Sequence, residues 1–422
     1  MSPKCDMKIQ QVEMVFCFLF FTITFRKTTH IYTYLKQYEL ANFGFDDNGY
    51  YSFNFSIPED LTDDLHIVLL NSTTFFQQKR KSFGQFNLCQ NETIPKIMVN
   101  KSNSFINGTI EDKTILYPYL LRCTPNGDIF IKLTVHEQHQ NPSSFLDNRL
   151  YNGKSSQIFI VALFLVLAIS WGVNWGLHFD VQHPLHYCLS CVIISFLLTH
   201  ILRTIELNVL HKSDNSHGLT EAHVFFVWLS FTLLCFFLLI ASHGYGIVVD
   251  SISIRILSLY VIISIWFVSF PIVLIYGDPG QGENFIYLLV LIGILTFGYF
   301  LLTNIRREAA QAVGLSISLS NSFNGTKDNS SSSTFLKNQL YKYFTYILLG
   351  GAILYVIYLA IDIAVLQMPL WASEMTYGLI EIIFVSSFSL LFIIRRNYQE
   401  IGGDEVPLTS FESTERPLLQ RI

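Results

Sequence analysis

Charge is what this sequence has least of. Only 14% of its 422 residues are Asp, Glu, Lys or Arg, against roughly 25% in soluble domains. The net charge of −5 offers no basic surface to nucleic acid. Cysteine is sparse, seven in all, too few for a disulfide-built scaffold. Motifs of chemistry are missing too. There is no phosphate-cradling Walker loop, no nucleophile elbow and no His-Glu-x-x-His helix. The chain is therefore read as a non-enzyme, with no cofactor and no metal site.

What is abundant is apolar. Hydrophobic residues make up 51% and aromatic residues 15% of the chain, and the mean hydropathy is +0.39. The excess is uneven. The first 150 residues are polar and Asn-rich, and long apolar runs begin near Gln157. Length and asymmetry imply two modules, 28–150 and 151–396, between a leader at 1–27 and a tail at 397–422. Phe225–Val249 typifies the second module: a charge-free run, then His243-Gly244-Tyr245-Gly246. Such a run crosses about 30 Å of hydrocarbon as a helix, and glycine at its exit permits backbone angles other residues resist. Runs of this kind place spans near 157–179, 184–207, 223–243, 256–276, 284–305, 343–366 and 372–394. With the N-terminus outside, Arg255, Arg306, Arg307, Lys327, Lys337, Lys342, Arg395 and Arg396 all fall in cytosolic segments. Exterior segments hold Lys212, Asp278, Glu283 and Glu374. This is the positive-inside bias.

Met1–Phe25 reads as a signal sequence, with Lys4 and Lys8 before the apolar run Met14–Phe25. The alternative is an uncleaved anchor. In the polar module, Tyr50–Ile57, Leu65–Leu70, Ile115–Cys123 and Asp128–His136 are short β-type runs separated by Pro58, Asn107-Gly108 and Pro125-Asn126-Gly127. They predict an antiparallel β-sandwich. Five sequons, at Asn54, Asn71, Asn91, Asn100 and Asn107, point to glycosylation in a secretory lumen. Cys89 and Cys123 read as a disulfide of that oxidising compartment; the alternative is two buried thiols. The loop 306–342, with its Ser330–Thr334 run, is expected to be a flexible linker. In the polar tail, Tyr398-Gln399-Glu400-Ile401 and Glu415-Arg416-Pro417-Leu418-Leu419 resemble adaptor-binding sorting signals.

Charges inside spans cost a few kcal/mol on insertion scales, on the order of 2.5–3.5 for Arg or Asp, and need partners. His200, Arg203 and Glu206 share a face of the second span. His223 opens the third, Asp362 ends the sixth and Glu381 lies in the seventh. They predict a polar cavity open to the exterior, with Arg203 paired to Asp362, Glu206 or Glu381; the alternative is an ion pair that only fixes helix register. Trp171 and Trp175 read as interfacial anchors. His178, Asp180, His183 and His186 gather at the first turn between spans, without the fixed spacing of a metal site.

Several seven-span classes are excluded. A retinal opsin needs a lysine in its last span, and 372–394 has none. His243 is the last histidine, which leaves none for a ceramidase-like zinc site there. The acid-Arg-aromatic triplet of rhodopsin-like receptors is replaced by His243-Gly244-Tyr245.

Three stretches carry a resemblance. His243-Gly244-Tyr245-Gly246-Ile247-Val248, Asn141-Pro142-Ser143-Ser144-Phe145-Leu146 before the first span, and Arg395-Arg396-Asn397-Tyr398 after the last are similar to the lung seven-transmembrane receptor family. That family belongs to the GOLD-domain seven-transmembrane superfamily, and the glycine motif resembles its Ptm1-like branch. Val249-Asp250 and Ile394-Arg395-Arg396 depart from the family pattern. The resemblance implies a GOLD-like lumenal sandwich on a seven-helix bundle, in a Golgi or endomembrane protein of membrane traffic that can cycle to the plasma membrane. Its lumenal partner would be a protein or lipid cargo, and clathrin or other coat adaptors would meet the tail. The alternatives are an orphan ligand receptor and a cation channel or carrier using a lumen-facing cavity.

Overall fold

The computed structural model describes residues 28–33, 37–58, 65–81, 88–90, 93–123, 131–179, 182–213, 216, 218–244, 252–276, 283–322, 330–364 and 370–393. The leader, Asn91, Tyr245–Gly246 and the tail with its sorting motifs lie outside them. An antiparallel β head precedes seven long helices.

One sheet of the head has the order β1 (Thr28–Thr33), β9 (Ile131–Gln140), β4 (Gly49–Ser56), β7 (Phe105–Ile110). The second runs β2 (Gln37–Glu39), β8 (Thr114–Arg122), β5 (Leu65–Asn71), β6 (Ile97–Val99), with β3 (Phe43–Phe45) also on β8. Alternation along β4 sends Phe53 and Phe55 inward and leaves Asn54 and Ser56 exposed. Phe53, Phe55, Leu133 and Val135 of the first sheet meet Leu65, Ile67, Val99 and Leu120 of the second in one core. Each such side chain contributes about 1.5–3 kcal/mol on burial.

β8 does not alternate, because both its faces are covered. Helix α1 (Ser72–Lys81) lies over the outer face, with Phe75 stacked on Tyr117 at 4.0 Å between ring centroids. The Tyr119 hydroxyl donates to Glu39 Oε2 at 2.8 Å. Burial, then that carboxylate, pushes the phenol well above its ordinary pKa. Pro118 sits mid-strand, where its missing N–H would break a ladder. Its carbonyl accepts from Leu40 N at 2.9 Å. A residue's N and O leave a strand on the same side, so the proline nitrogen faces the gap between β2 and β3. Cys89 and Cys123 are bonded, with Cα atoms 5.3 Å apart.

The bundle comprises α2 (Gly153–Leu177), α3 (Pro184–Lys212), α4 (Leu219–Ser242), α5 (Ile254–Tyr276), α6 (Glu283–Ser322), α7 (Ser330–Ala364) and α8 (Leu370–Leu391). All seven are long and apolar enough to cross a membrane, which fits a multi-pass membrane protein. Each packs on the next, and α2 meets α8 to close the ring. Small residues permit close approach: a Cβ at Gly378 would lie 3.1 Å from Ile160. Gly244 ends α4 with φ of 82°, a left-handed angle that suits glycine.

Three expectations are corrected. Residues 306–322 and 330–342 extend α6 and α7 rather than forming a flexible loop. Arg306-Arg307-Glu308-Ala309-Ala310-Gln311-Ala312 are good helix formers and simply propagate a helix the span has nucleated. Trp171 is 5% exposed, donating to Ser190 Oγ at 2.8 Å; a core partner, not an interface, claims its N–H. Glu374 and Lys212 lie within α8 and α3, not in loops. His183 and His186 form a capping box on α3, joined by His183 N to His186 Nδ1 at 2.9 Å.

The Asn-Pro stretch is a joint with fixed bonds. Asn141, 2% exposed, accepts from Asp46 N at 2.7 Å and donates to Gly44 O at 3.2 Å and Leu146 O at 2.9 Å. Ser144 Oγ meets His211 Nδ1 of α3 at 2.8 Å, and the turn Asn148–Leu150 packs on α8. Asn141→Ala would remove the side-chain partner of two buried carbonyls, Gly44 O and Leu146 O, and of the half-buried Asp46 N. A loss on the order of 1–3 kcal/mol is expected, read as faster protease nicking between residues 141 and 152.

Candidate functional site

The buried charges gather on the head-side half of the bundle. Helical spacing puts His200, Arg203 and Glu206 on one face of α3, and a separation of seven puts Glu374 and Glu381 on one face of α8. Arg203 Nη1 donates to Glu206 Oε2 at 2.9 Å, and its Nη2 donates to Glu374 Oε1. Glu206, 1% exposed, also accepts from Thr220 Oγ1 at 2.6 Å and faces His223 Nδ1 at 3.3 Å. Gln157 of α2 donates to Glu374 Oε2 at 3.3 Å, and its Oε1 accepts from His200 Nδ1 at 3.0 Å. His200 Nε2 then meets Glu381 Oε2 at 3.0 Å.

The chemistry follows from that chain. With Gln157 accepting at Nδ1, His200 carries its Nδ1 proton. One further proton must lie between Nε2 and Glu381, on either group, for their contact to be a hydrogen bond. Two acids, Glu206 and Glu374, hold the Arg203 guanidinium, while the imidazoles of His223 and His200 meet Glu206 and Glu381. Phe164 stacks on His200 at 5.0 Å and walls off the network below. Thr199 and Ser230 join α3 to α4 beneath it, 2.9 Å apart. The arrangement ties α2, α3, α4 and α8 together.

Sequence reasoning placed His200, Arg203, Glu206, His223 and Glu381 near one another, and the fold brings all of them into one network. The partner of Arg203 on another helix is Glu374, because Glu381, two turns deeper, is taken by His200. Asp362 lies outside the residues whose side chains are described. Gln157, Thr220 and Glu374 were missed as members. The seven-residue spacing of the two α8 acids was the available signal for Glu374. Among the described residues no cluster of three or more His, Cys, Asp or Glu is arranged to hold a metal ion.

A second polar cluster stands at the other end of the bundle. His243 Nδ1 accepts from Arg307 Nη2 of α6 at 2.8 Å and lies 2.9 Å from Tyr260 Oη of α5. Asn304 Nδ2 donates to Tyr260 Oη at 2.7 Å and to Ser242 Oγ at 3.2 Å. Arginine only donates, so His243 Nδ1 carries a lone pair here. The glycine motif at the α4 exit thus supplies a histidine that clasps α5 and α6. Its partners are far away in sequence and no local pattern marks them.

No protein-family model matches the chain, and no curated protein matches it.

Arg203→Gln would leave Glu206 and Glu374 facing each other without their counter-ion. Breaking a buried pair this way costs about 3–5 kcal/mol, to be read by thermal unfolding of purified protein in detergent. Adding Glu374→Gln is expected to recover part of the loss.

Proposed function

We propose that this is a non-enzymatic protein of the Golgi and endomembrane system, acting in membrane traffic or cargo sorting. The lumenal head, of the GOLD type, recognises a protein or lipid cargo, and the cytosolic tail recruits coat adaptors through Tyr398–Ile401 and Glu415–Leu419. The observation that carries the reading is the seam between head and bundle. Ser144 binds His211 of α3 and the turn Asn148–Leu150 rests on α8, the two helices that Arg203 bridges. A load on the head is thereby passed to the spans instead of being lost in a flexible tether. The basic residues at the far end support a cytosolic tail. Absence of any motif for chemistry supports a binding role.

A second reading is a ligand receptor. The far-end clasp of His243, Tyr260, Asn304 and Arg307 favours it, because a shift of α4 would be felt by α5 and α6. Buried ionisable groups within the spans keep a channel or carrier as an outcome of reconstitution in liposomes.

Imaging of the full chain tests the first reading. The wild type is expected on perinuclear Golgi membranes, and Tyr398→Ala combined with Leu418→Ala and Leu419→Ala is expected to raise its surface share several-fold. A wild type resident at the plasma membrane and indifferent to these changes would overturn it.

A further inference from the structure

A sequon matters on a folded domain only if its amide nitrogen is free and faces outward. The described sequon asparagines, Asn54, Asn71, Asn100 and Asn107, are all exposed. They also differ chemically from several asparagines outside sequons. Asn103, Asn141 and Asn148 give their Nδ2 to the fold, bonding Met98 O at 2.8 Å, Leu146 O at 2.9 Å and Asp46 Oδ1 at 2.6 Å. Asn100 uses only its oxygen, which accepts from Ser102 N at 3.1 Å, Ser102 Oγ at 2.7 Å and Asn103 N at 2.8 Å. Asn71 does the same, capping α1 by accepting from Thr74 N at 2.9 Å. The folding work falls on the oxygen and leaves the nitrogen available.

Two of these residues sit around an unexplained aromatic. β4 and β7 pair in the register Asn54↔Phe105 and Ser52↔Asn107. Strand alternation therefore turns Asn54, Phe105 and Asn107 to the same outer face. Phe105 is 51% exposed there, on a strand that ends its sheet. Ile106, the next residue, is buried in the core, so strand alternation turns the Phe105 ring outward. An open edge strand with an exposed ring is an association hazard. A sugar attached at Asn107, two residues along the same face, would lay its C–H face on that ring and cover it.

We propose that Asn54, Asn100 and Asn107 carry N-linked glycans, and that the Phe105 ring is the platform on which the sugar at Asn107 packs. The transfer forms a bond from Nδ2 to C1 of a sugar and breaks the bond from C1 to the pyrophosphate of a lipid-linked oligosaccharide. The pyrophosphate leaves as the anion and the amide proton goes to base; nothing is oxidised or reduced. The inference rests on the lumenal head of the proposed function.

The test uses the full chain made in a eukaryotic secretory host. Glycosidase treatment is expected to increase its mobility, and Asn54→Gln, Asn100→Asp and Asn107→Gln are each expected to remove one mobility step. Asn100→Asp keeps the oxygen that holds the turn. Unchanged mobility would overturn the modification. Protease treatment of sealed microsomes separates the two ideas: a protected but unglycosylated head sinks the glycans alone, whereas a digested head sinks the orientation as well. For the platform, deglycosylation is expected to lower the melting temperature of the wild type and to have little effect on Phe105→Ala. Phe105→Leu, apolar but without a flat ring, is expected to behave like Phe105→Ala. An equal drop in all three would overturn the platform.

Discussion

A guanidinium largely enclosed by apolar helices must find its partners on the protein, and its bonds therefore help decide which helix faces meet. Arg203 has one partner on its own helix, Glu206, and one across the bundle, Glu374. That second contact fixes the register of α3 against α8. The bonds then continue, through Gln157 to α2 and through His200 to Glu381. A buried network of this kind adds little net stability over a well-packed apolar interior. What it specifies is an arrangement, since any slip leaves a charge without a counter-ion in a medium that tolerates none.

The head is seated on the helices that this network ties. His211, which holds Ser144, follows Glu206 along α3. Gly153, where the first span begins, lies close to Leu207 and Trp371, with space for a Cβ 3.4 Å and 3.7 Å away. Asn141 closes the joint from the head side with its oxygen and nitrogen both engaged. At the opposite end α4 finishes in Gly244, and His243 before it gathers Tyr260, Asn304 and Arg307. The bundle thus has a polar tie at each end and an apolar middle, which is how a helix array keeps specificity where the hydrophobic effect cannot discriminate.

Much of this was legible in the chain. Apolar run length set the seven spans, because hydrocarbon thickness sets a minimum helix length. Short β-type runs between turn residues marked β4, β5, β8 and β9, and the head's cysteine pair is bonded as expected. Less visible were the short strands β2, β3 and β6, whose existence depends on β8 and β5 offering partners. Pro118 stands inside β8, and it is the gap between β2 and β3 that accommodates it. The continuation of α6 and α7 was hidden by a serine-rich stretch that suggests a linker by composition.

What the sequence by itself determined was the class of each segment and the set of polar residues that must find shelter among the helices. Periodicity and solvent transfer are local properties, and they are written in neighbouring residues. Which acid answers Arg203, that His200 takes Glu381, and that His243 meets Arg307 were decided only by tertiary structure. Those choices depend on the rotation and offset of helices brought together from distant parts of the chain, and no single helix contains that information.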